Sequence, residues 1–176
     1  MSRTETDHAV LKFGGTSVAT RDRWDRIAEV VESRLREDEH PFLVCSAVSG
    51  VSDQLEKVLA RTQRGDWRSA YEAIVDRHRE LADELDVELA GDAREQLDEL
   101  SRLLEGADLI GEISPRLRAR VMATGELLST HLGAAFLRSL GYDVEWLDAR
   151  QSLESRHDTP GNEQRQYLSA GCTFAP

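Results

Sequence analysis

The sequence predicts an α/β fold in which helices pack on a parallel sheet. Two apolar runs, at residues 9–13 and 42–45, are each followed by a polar loop that contains glycine and then by residues with helical periodicity. The helices are expected from about Thr20 to Glu37 and from about Asp53 to Thr62. This strand–helix–strand–helix order favours parallel pairing, because parallel strands need a long crossover connection.

Three further helices are predicted downstream. Residues 66–107 are highly charged and carry one apolar face, so we expect two helices that form a hairpin outside the sheet. Ser114 before Pro115 predicts the start of a long helix, which Gly141 is expected to end. Apolar and polar residues alternate over residues 142–147, which predicts a strand. Residues 151–176 show little periodicity of apolar residues and are expected to form a loop.

Composition limits the classes of partner. The 176 residues are 40% hydrophobic and 31% charged, as in globular domains, and residues 1–8 predict a polar, disordered tail. A net charge of −11 argues against nucleic acid and anionic membranes as partners. Cys45 and Cys172 lack metal-ligand spacing, so no metal site is expected. With no apolar stretch near the roughly 20 residues that span a bilayer, the sequence predicts a cytoplasmic protein.

Residues 12–18, Lys-Phe-Gly-Gly-Thr-Ser-Val, are the strongest candidate for a binding site. Gly14 and Gly15 let backbone N–H groups approach an anion, and the following helix start, Lys12 and Ser17 add positive charge and a hydroxyl donor. The loop at residues 46–52 also follows a strand, so both loops are expected to face one pocket. The alternative is that the glycines only form a tight turn and Lys12 is a solvated charge.

A second candidate lies inside the long helix. Gly125 costs about 1 kcal/mol relative to alanine in a helix, which predicts that another group approaches closely there or that the helix bends. Glu126 follows it, and its carboxylate is suited to a substrate ammonium group. The alternative is that Glu126 is an ordinary surface residue of the helix.

Together these segments resemble the aspartate kinase family, within the amino-acid kinase superfamily. The similar segments occur in the family's order, at residues 12–18, 44–52, 124–130 and 146–150, and the resemblance covers roughly residues 9–150. It implies a three-layer αβα fold, with a mainly parallel sheet and helices on both faces. It also implies that residues 9–176 form the N-terminal part of the kinase domain, without the C-terminal nucleotide-binding part and the regulatory domains.

The resemblance implies transfer of a phosphoryl group from ATP to the side-chain carboxylate of L-aspartate, which gives 4-phospho-L-aspartate in lysine, threonine and methionine biosynthesis. Lys12 would neutralise the transferring phosphoryl group. Gly14 and Gly15 would donate backbone N–H groups to phosphate oxygens, Ser17 would support their loop, and Ser46 would lie near the phosphates.

The remaining implied roles concern the substrate. Ser52, where the family usually has threonine, would contact aspartate, and Glu126 would bind the ammonium group of aspartate. Asp53 replaces a usual asparagine. Mg²⁺ would be carried mainly by ATP, with no dedicated protein ligands. The full-length protein is expected to be a homo-oligomer, and the 176-residue chain alone is expected to be inactive or nearly so.

Three other functions stay open at this stage. A sister kinase acting on acetylglutamate or glutamate would fit part of the first motif, although residues 16–18 and the Gly125–Glu126 pair favour aspartate kinase. The chain could instead bind a small anion without turnover. A partner-binding role for the charged helices of residues 66–107 is the third alternative.

Overall fold

A computed structural model describes residues 7–156 and 171–174. Two strands and a series of helices alternate in the first part, and helices dominate the rest. In chain order the elements are β1 (His8–Phe13), a 3-10 turn (Gly15–Val18), α1 (Arg21–Arg36), β2 (His40–Cys45), α2 (Val51–Thr62), α3 (Arg68–Leu85), α4 (Gly91–Ile110), α5 (Pro115–Ser139), α6 (Ala149–Ser152), β3 (Leu153–Arg156) and β4 (Gly171–Phe174).

The predicted parallel pairing is confirmed. β1 and β2 run side by side in register from His8 opposite His40 to Phe13 opposite Cys45, with α1 as the crossover. Both strands therefore end at the same edge, which brings the two polar loops that follow them together.

The two strands are buried on one face only, although the sequence predicted buried strands. Phe13, Leu43 and Cys45 pack against the core that the helices form. On the opposite face, Val10 and Phe42 are 71% and 47% exposed. The two strands therefore have one half-buried face and one exposed face.

The two helices predicted at residues 66–107 are present as α3 and α4, but the predicted hairpin is not confirmed, because α3 packs mainly against α2 and α4 packs mainly against α5. The apolar face of α4 packs into the core, because Leu97, Leu100 and Leu104 are almost completely buried. Gly91 begins α4 as expected, whereas Gly106 lies within the helix and does not mark its end.

The long helix α5 lies at the centre of the molecule. The hydroxyl of Ser114 accepts a hydrogen bond from the Leu117 amide at 3.2 Å, which confirms the predicted cap. Gly141 follows the helix with a φ of +92°, in the left-handed region that favours glycine. Trp24 of α1 packs directly on the Gly133 backbone of α5.

Three predictions near the chain ends are corrected. Alternate side chains of residues 142–147 are half-buried, but these residues form no ladder within the described part of the chain and so are not a strand. The expected loop at 151–176 contains β3 and β4, which pair antiparallel. Within the tail expected at residues 1–8, His8 belongs to β1, because it pairs with His40. Residues 1–6 lie outside the part of the chain that the structure describes, and so does the side chain of Cys172.

Candidate functional site

The loops after β1 and β2 are joined by backbone hydrogen bonds. The Ser46 amide donates to the Phe13 carbonyl at 3.0 Å, and the Ser49 amide donates to the Gly15 carbonyl at 3.1 Å. Gly50, with a φ of +83°, then turns the chain into α2. The backbones of the two loops therefore lie side by side at the edge where β1 and β2 end.

Ala47 lies between two glycines from different segments. A β-carbon at Gly15 would lie 2.6 Å from the Ala47 carbonyl oxygen, and one at Gly125 would lie 2.8 Å from the Ala47 β-carbon. Both distances are shorter than real carbon contacts allow, so any side chain at either position would force these segments apart. The close approach predicted at Gly125 is thus present, and it joins α5 to the two loops.

Most of the predicted anion-binding residues lie at the end of β1 or in the loop that follows it, and Ser46 begins the second loop. Lys12 is exposed near the end of β1 and pairs in register with Val44. The Ser17 amide donates to the Gly14 carbonyl at 2.9 Å within the 3-10 turn. Gly14 precedes this turn and Gly15 begins it, so the N–H groups that follow the glycines belong to the turn and not to the start of α1.

Lys12 has no ion-pair partner among the described residues. The sequence contains only one other lysine, Lys57, which lies in α2. An exposed ammonium group beside a glycine loop is free to approach an anionic ligand, and its charge is not already neutralised by a carboxylate.

The predicted substrate-binding residues lie on α2 and α5, which approach each other at Gly125. Glu126 is exposed on α5, directly after Gly125, and Ser52 is exposed in the first turn of α2. A β-carbon at Gly125 would also lie 3.3 Å from Val51, the residue before Ser52. The backbone therefore brings Ser46, Ser52 and Glu126 to one region.

Sequence reasoning did not single out Ser129, which links α5 to the second loop. Its hydroxyl donates to the Ser46 carbonyl at 2.7 Å, and the side chain is completely buried. Ser129 stands within the motif at residues 124–130, but no sequence pattern indicates which serine reaches another segment.

An aromatic cluster lies one turn further along α5. The Trp146 indole N–H donates to the Thr130 hydroxyl at 3.0 Å, and the Thr130 hydroxyl lies 2.8 Å from the Glu126 carbonyl. The His131 ring stacks on Trp146 with ring centroids 3.9 Å apart. These contacts attach Trp146 to α5, and the Arg138 side chain donates a further hydrogen bond to the Val144 carbonyl at 2.9 Å.

The charges around this cluster are largely paired. Arg150 holds Asp148 through side-chain hydrogen bonds of 2.7–3.1 Å, which lower the pKa of the Asp148 carboxyl. Burial lowers the pKa of His131, although the nearby Asp92 and Asp148 carboxylates oppose that shift. The structure therefore favours a neutral imidazole at position 131.

Other features of the described residues lie away from this region. A groove of about 440 Å³ between α4 and the start of α5 contains none of the predicted site residues. No three histidine, cysteine or carboxylate side chains in residues 7–156 and 171–174 are arranged to hold a metal ion. None of the helices in those ranges has the length and hydropathy needed to cross a membrane.

Sequence comparisons with known proteins all point to one family. The sequence profile of the amino acid kinase family matches residues 7–171. An aspartokinase from Chlamydia trachomatis is 34% identical over 153 residues, covering 87% of this chain and 33% of that protein. Chloroplastic aspartokinase 3 from Arabidopsis thaliana is 34% identical over 145 residues, covering 80% of this chain and 25% of that protein.

Solved structures show the same relationship. Aspartokinase III from E. coli, in complex with aspartate and ADP, superposes with a TM-score of 0.73 at 27% identity, over 86% of this chain and 33% of that one. Clostridium acetobutylicum aspartate kinase, at 20% identity and a TM-score of 0.67, supports the fold alone. The chain spans between a quarter and a third of the length of these curated relatives.

Proposed function

The chain belongs to the amino acid kinase family, and we propose that it supplies the phosphate-binding and substrate-binding part of an aspartokinase. The observation that carries this proposal is the packing of Ala47 between Gly15 and Gly125. It joins the glycine loop after β1, the loop after β2 and the Glu126 turn of α5 into one region. The relatives named aspartokinase and the E. coli enzyme's complex with aspartate and ADP support the choice of substrates.

The proposed reaction is phosphoryl transfer from ATP to the side-chain carboxylate of L-aspartate. The bond between the γ-phosphorus and the bridging oxygen breaks, ADP leaves with the electron pair, and a carboxylate oxygen bonds to phosphorus. The carboxylate is already ionised near pH 7, so no base has to remove a proton. The protein must therefore hold the two anions together and stabilise charge on the phosphoryl oxygens.

The residues of the first loop suit that task. Lys12 supplies a full positive charge, and the backbone N–H groups at Gly14 and Gly15 supply donors whose approach no side chain blocks. Ser17 holds the 3-10 turn through its amide, and Ser46 lies at the start of the second loop. Mg²⁺, if bound as Mg·ATP, reduces the charge on the phosphates, and we assign it no protein ligands.

Glu126 favours a substrate with a free ammonium group. Its exposed carboxylate would pair with the α-ammonium of L-aspartate, while Ser52 would offer a hydroxyl to the same molecule. N-acetylglutamate carries a neutral amide at the corresponding nitrogen and would leave the Glu126 charge unpaired. The Glu126 carboxylate thus disfavours N-acetylglutamate as the substrate, and the similarity to proteins named aspartokinase disfavours glutamate.

We assign the activity to the natural gene product that contains this sequence, at its full length. The isolated 176-residue chain is expected to bind ligands weakly and to show little turnover, since it spans about a third of its relatives. The cytoplasmic location and the homo-oligomeric assembly predicted from the sequence belong to the same proposal.

The test is trapping of the acyl phosphate with hydroxylamine, using Mg·ATP and one acceptor at a time. L-Aspartate, L-glutamate and N-acetyl-L-glutamate are compared for the 176-residue chain and for the full-length gene product. We expect hydroxamate only with L-aspartate and mainly from the longer protein. Hydroxamate with another acceptor would show that the substrate is that acceptor and not L-aspartate. ADP binding without hydroxamate from any acceptor would favour a protein that binds an anion without turnover.

A further inference from the structure

The Ser129 hydroxyl makes a hydrogen bond that is unusual for a serine within a helix. Serine in a helix commonly bonds back to a carbonyl of its own helix. Here the Glu126 carbonyl is 3.3 Å from the hydroxyl oxygen, whereas the Ser46 carbonyl is only 2.7 Å away. The shorter bond crosses 83 residues of sequence and ends in the second loop.

The surroundings of this bond make it a fixed link. Ser129 is completely buried, and one turn earlier Gly125 packs against Ala47. The hydroxyl bond and the glycine contact therefore attach the same side of α5 to two consecutive residues, Ser46 and Ala47. Because α5 is attached at two neighbouring points, it cannot slide or rotate freely against the loop that begins at Ser46.

We propose that Ser129 is a positioning residue that sets the alignment of Glu126 with the phosphate-binding loops. This inference rests on the proposed function. Glu126 lies between the two attachment points on α5, and Ser46 begins the loop that bonds to Phe13 and Gly15. The hydroxyl of Ser129 thus connects α5, which would bind the amino acid through Glu126, to the loops that would bind the phosphates. It contacts neither ligand itself.

The expected consequence is a loss in rate with little loss in binding. Small errors in the relative position of two reactants reduce the rate steeply, by about 100-fold for a displacement of about 1 Å. In a Ser129→Ala variant the Gly125 contact remains, so the displacement is smaller. We expect kcat to fall about tenfold, while KM for L-aspartate changes less than about twofold because Glu126 is intact.

The experiment compares Ser129→Ala with Thr62→Val in the full-length gene product. Thr62 is a matched control, because it is also buried and its hydroxyl bonds at 2.8 Å only to Val58 of its own helix. The kcat is expressed per ADP-binding site, determined by calorimetric titration, so that misfolded protein does not count. Hydrogen exchange at the Ser46 and Ser49 amides is measured on the same samples.

We expect Ser129→Ala to lose kcat per site and to exchange faster at these two amides, with Thr62→Val close to wild type in both. Wild-type kcat per site in Ser129→Ala, or an equal loss in both variants, would overturn the inference. A wild-type protein that does not phosphorylate aspartate would refute the proposed function, a result distinct from an active wild type that tolerates Ser129→Ala.

Discussion

Replacing Gly133 with alanine tests the packing of α5 on α1. The new β-carbon would lie 1.9 Å from Cη2 of Trp24 and within 2.6 Å of two further ring atoms. Carbon atoms pack at about 3.5–4.0 Å, so the indole must move by roughly 1.5 Å or the helices must separate. Trp24 is 1% exposed and its N–H donates to the Val18 carbonyl at 3.1 Å, which leaves it little room to move.

The magnitude follows from two opposing effects. Overpacking a core costs about 1–3 kcal/mol and occasionally more, whereas alanine gains about 1 kcal/mol over glycine in a helix. Because the clash at Gly133 is severe and involves a rigid ring, we expect a net loss of about 2 kcal/mol in the free energy of unfolding. For a chain of this size that corresponds to a fall of about 4–8 °C in Tm.

Gly106 provides the matched control. It lies within α4, and a β-carbon there would meet no atom within 4 Å. Gly106→Ala should therefore show only the higher helix propensity of alanine, which stabilises the chain by about 0.5–1 kcal/mol. Both variants are measured by urea unfolding followed by circular dichroism at 222 nm.

A Gly133→Ala variant as stable as wild type would refute the reasoning. A double variant, Gly133→Ala with Trp24→Phe, checks its cause, because phenylalanine lacks the outer ring atoms that clash. The combined cost should then be smaller than the sum of the two single costs. Simple additivity would mean that Trp24 is not the group displaced.

Two further predictions concern the site loop and the buried histidines. Gly15→Ala should weaken ADP binding to the full-length protein at least tenfold, because its β-carbon would meet the Ala47 carbonyl at 2.6 Å, whereas Gly106→Ala in α4 should bind normally because its β-carbon meets nothing within 4 Å; calorimetry measures both, and an equal or larger loss in Gly106→Ala would contradict this account. Burial lowers the pKa of both His78 and His131, so their neutral forms stabilise the fold fully above about pH 6.5, and this stability is lost as the pH falls below that value. Urea midpoints between pH 7.5 and 5.5 should fall in wild type and fall less when both histidines are glutamine, and identical slopes would show that other groups control acid sensitivity.

Much of the fold could be predicted because its signals are local. The apolar runs before the glycine loops predict β1 and β2, and Ser114 with Pro115 predicts the start of α5. The close approach at Gly125 could also be predicted, since a glycine is costly inside a helix unless space is needed. Gly133 carries the same signal in the same helix, and it accommodates Trp24 of α1.

What could not be predicted depends on partners distant in sequence. Alternation at residues 142–147 indicates which side chains face inward, but it does not say that a neighbouring strand exists. Trp146 instead packs on His131 and bonds to Thr130. The Ser129 hydroxyl likewise has several possible acceptors, and only the tertiary structure identifies the Ser46 carbonyl.

The most direct test of the central claim is the rate of acyl-phosphate formation when Lys12 is changed. Lys12→Ala is compared with Lys57→Ala in the full-length gene product, with Mg·ATP and L-aspartate at saturation. Lys57 is the other lysine of this sequence and lies in α2, outside the proposed site. We predict that Lys12→Ala lowers kcat by about 100-fold or more, as expected when a charge that stabilises the transition state is removed, and that Lys57→Ala stays near wild type. Retention of wild-type kcat by Lys12→Ala would contradict the assignment of the glycine loop as the phosphoryl-transfer site.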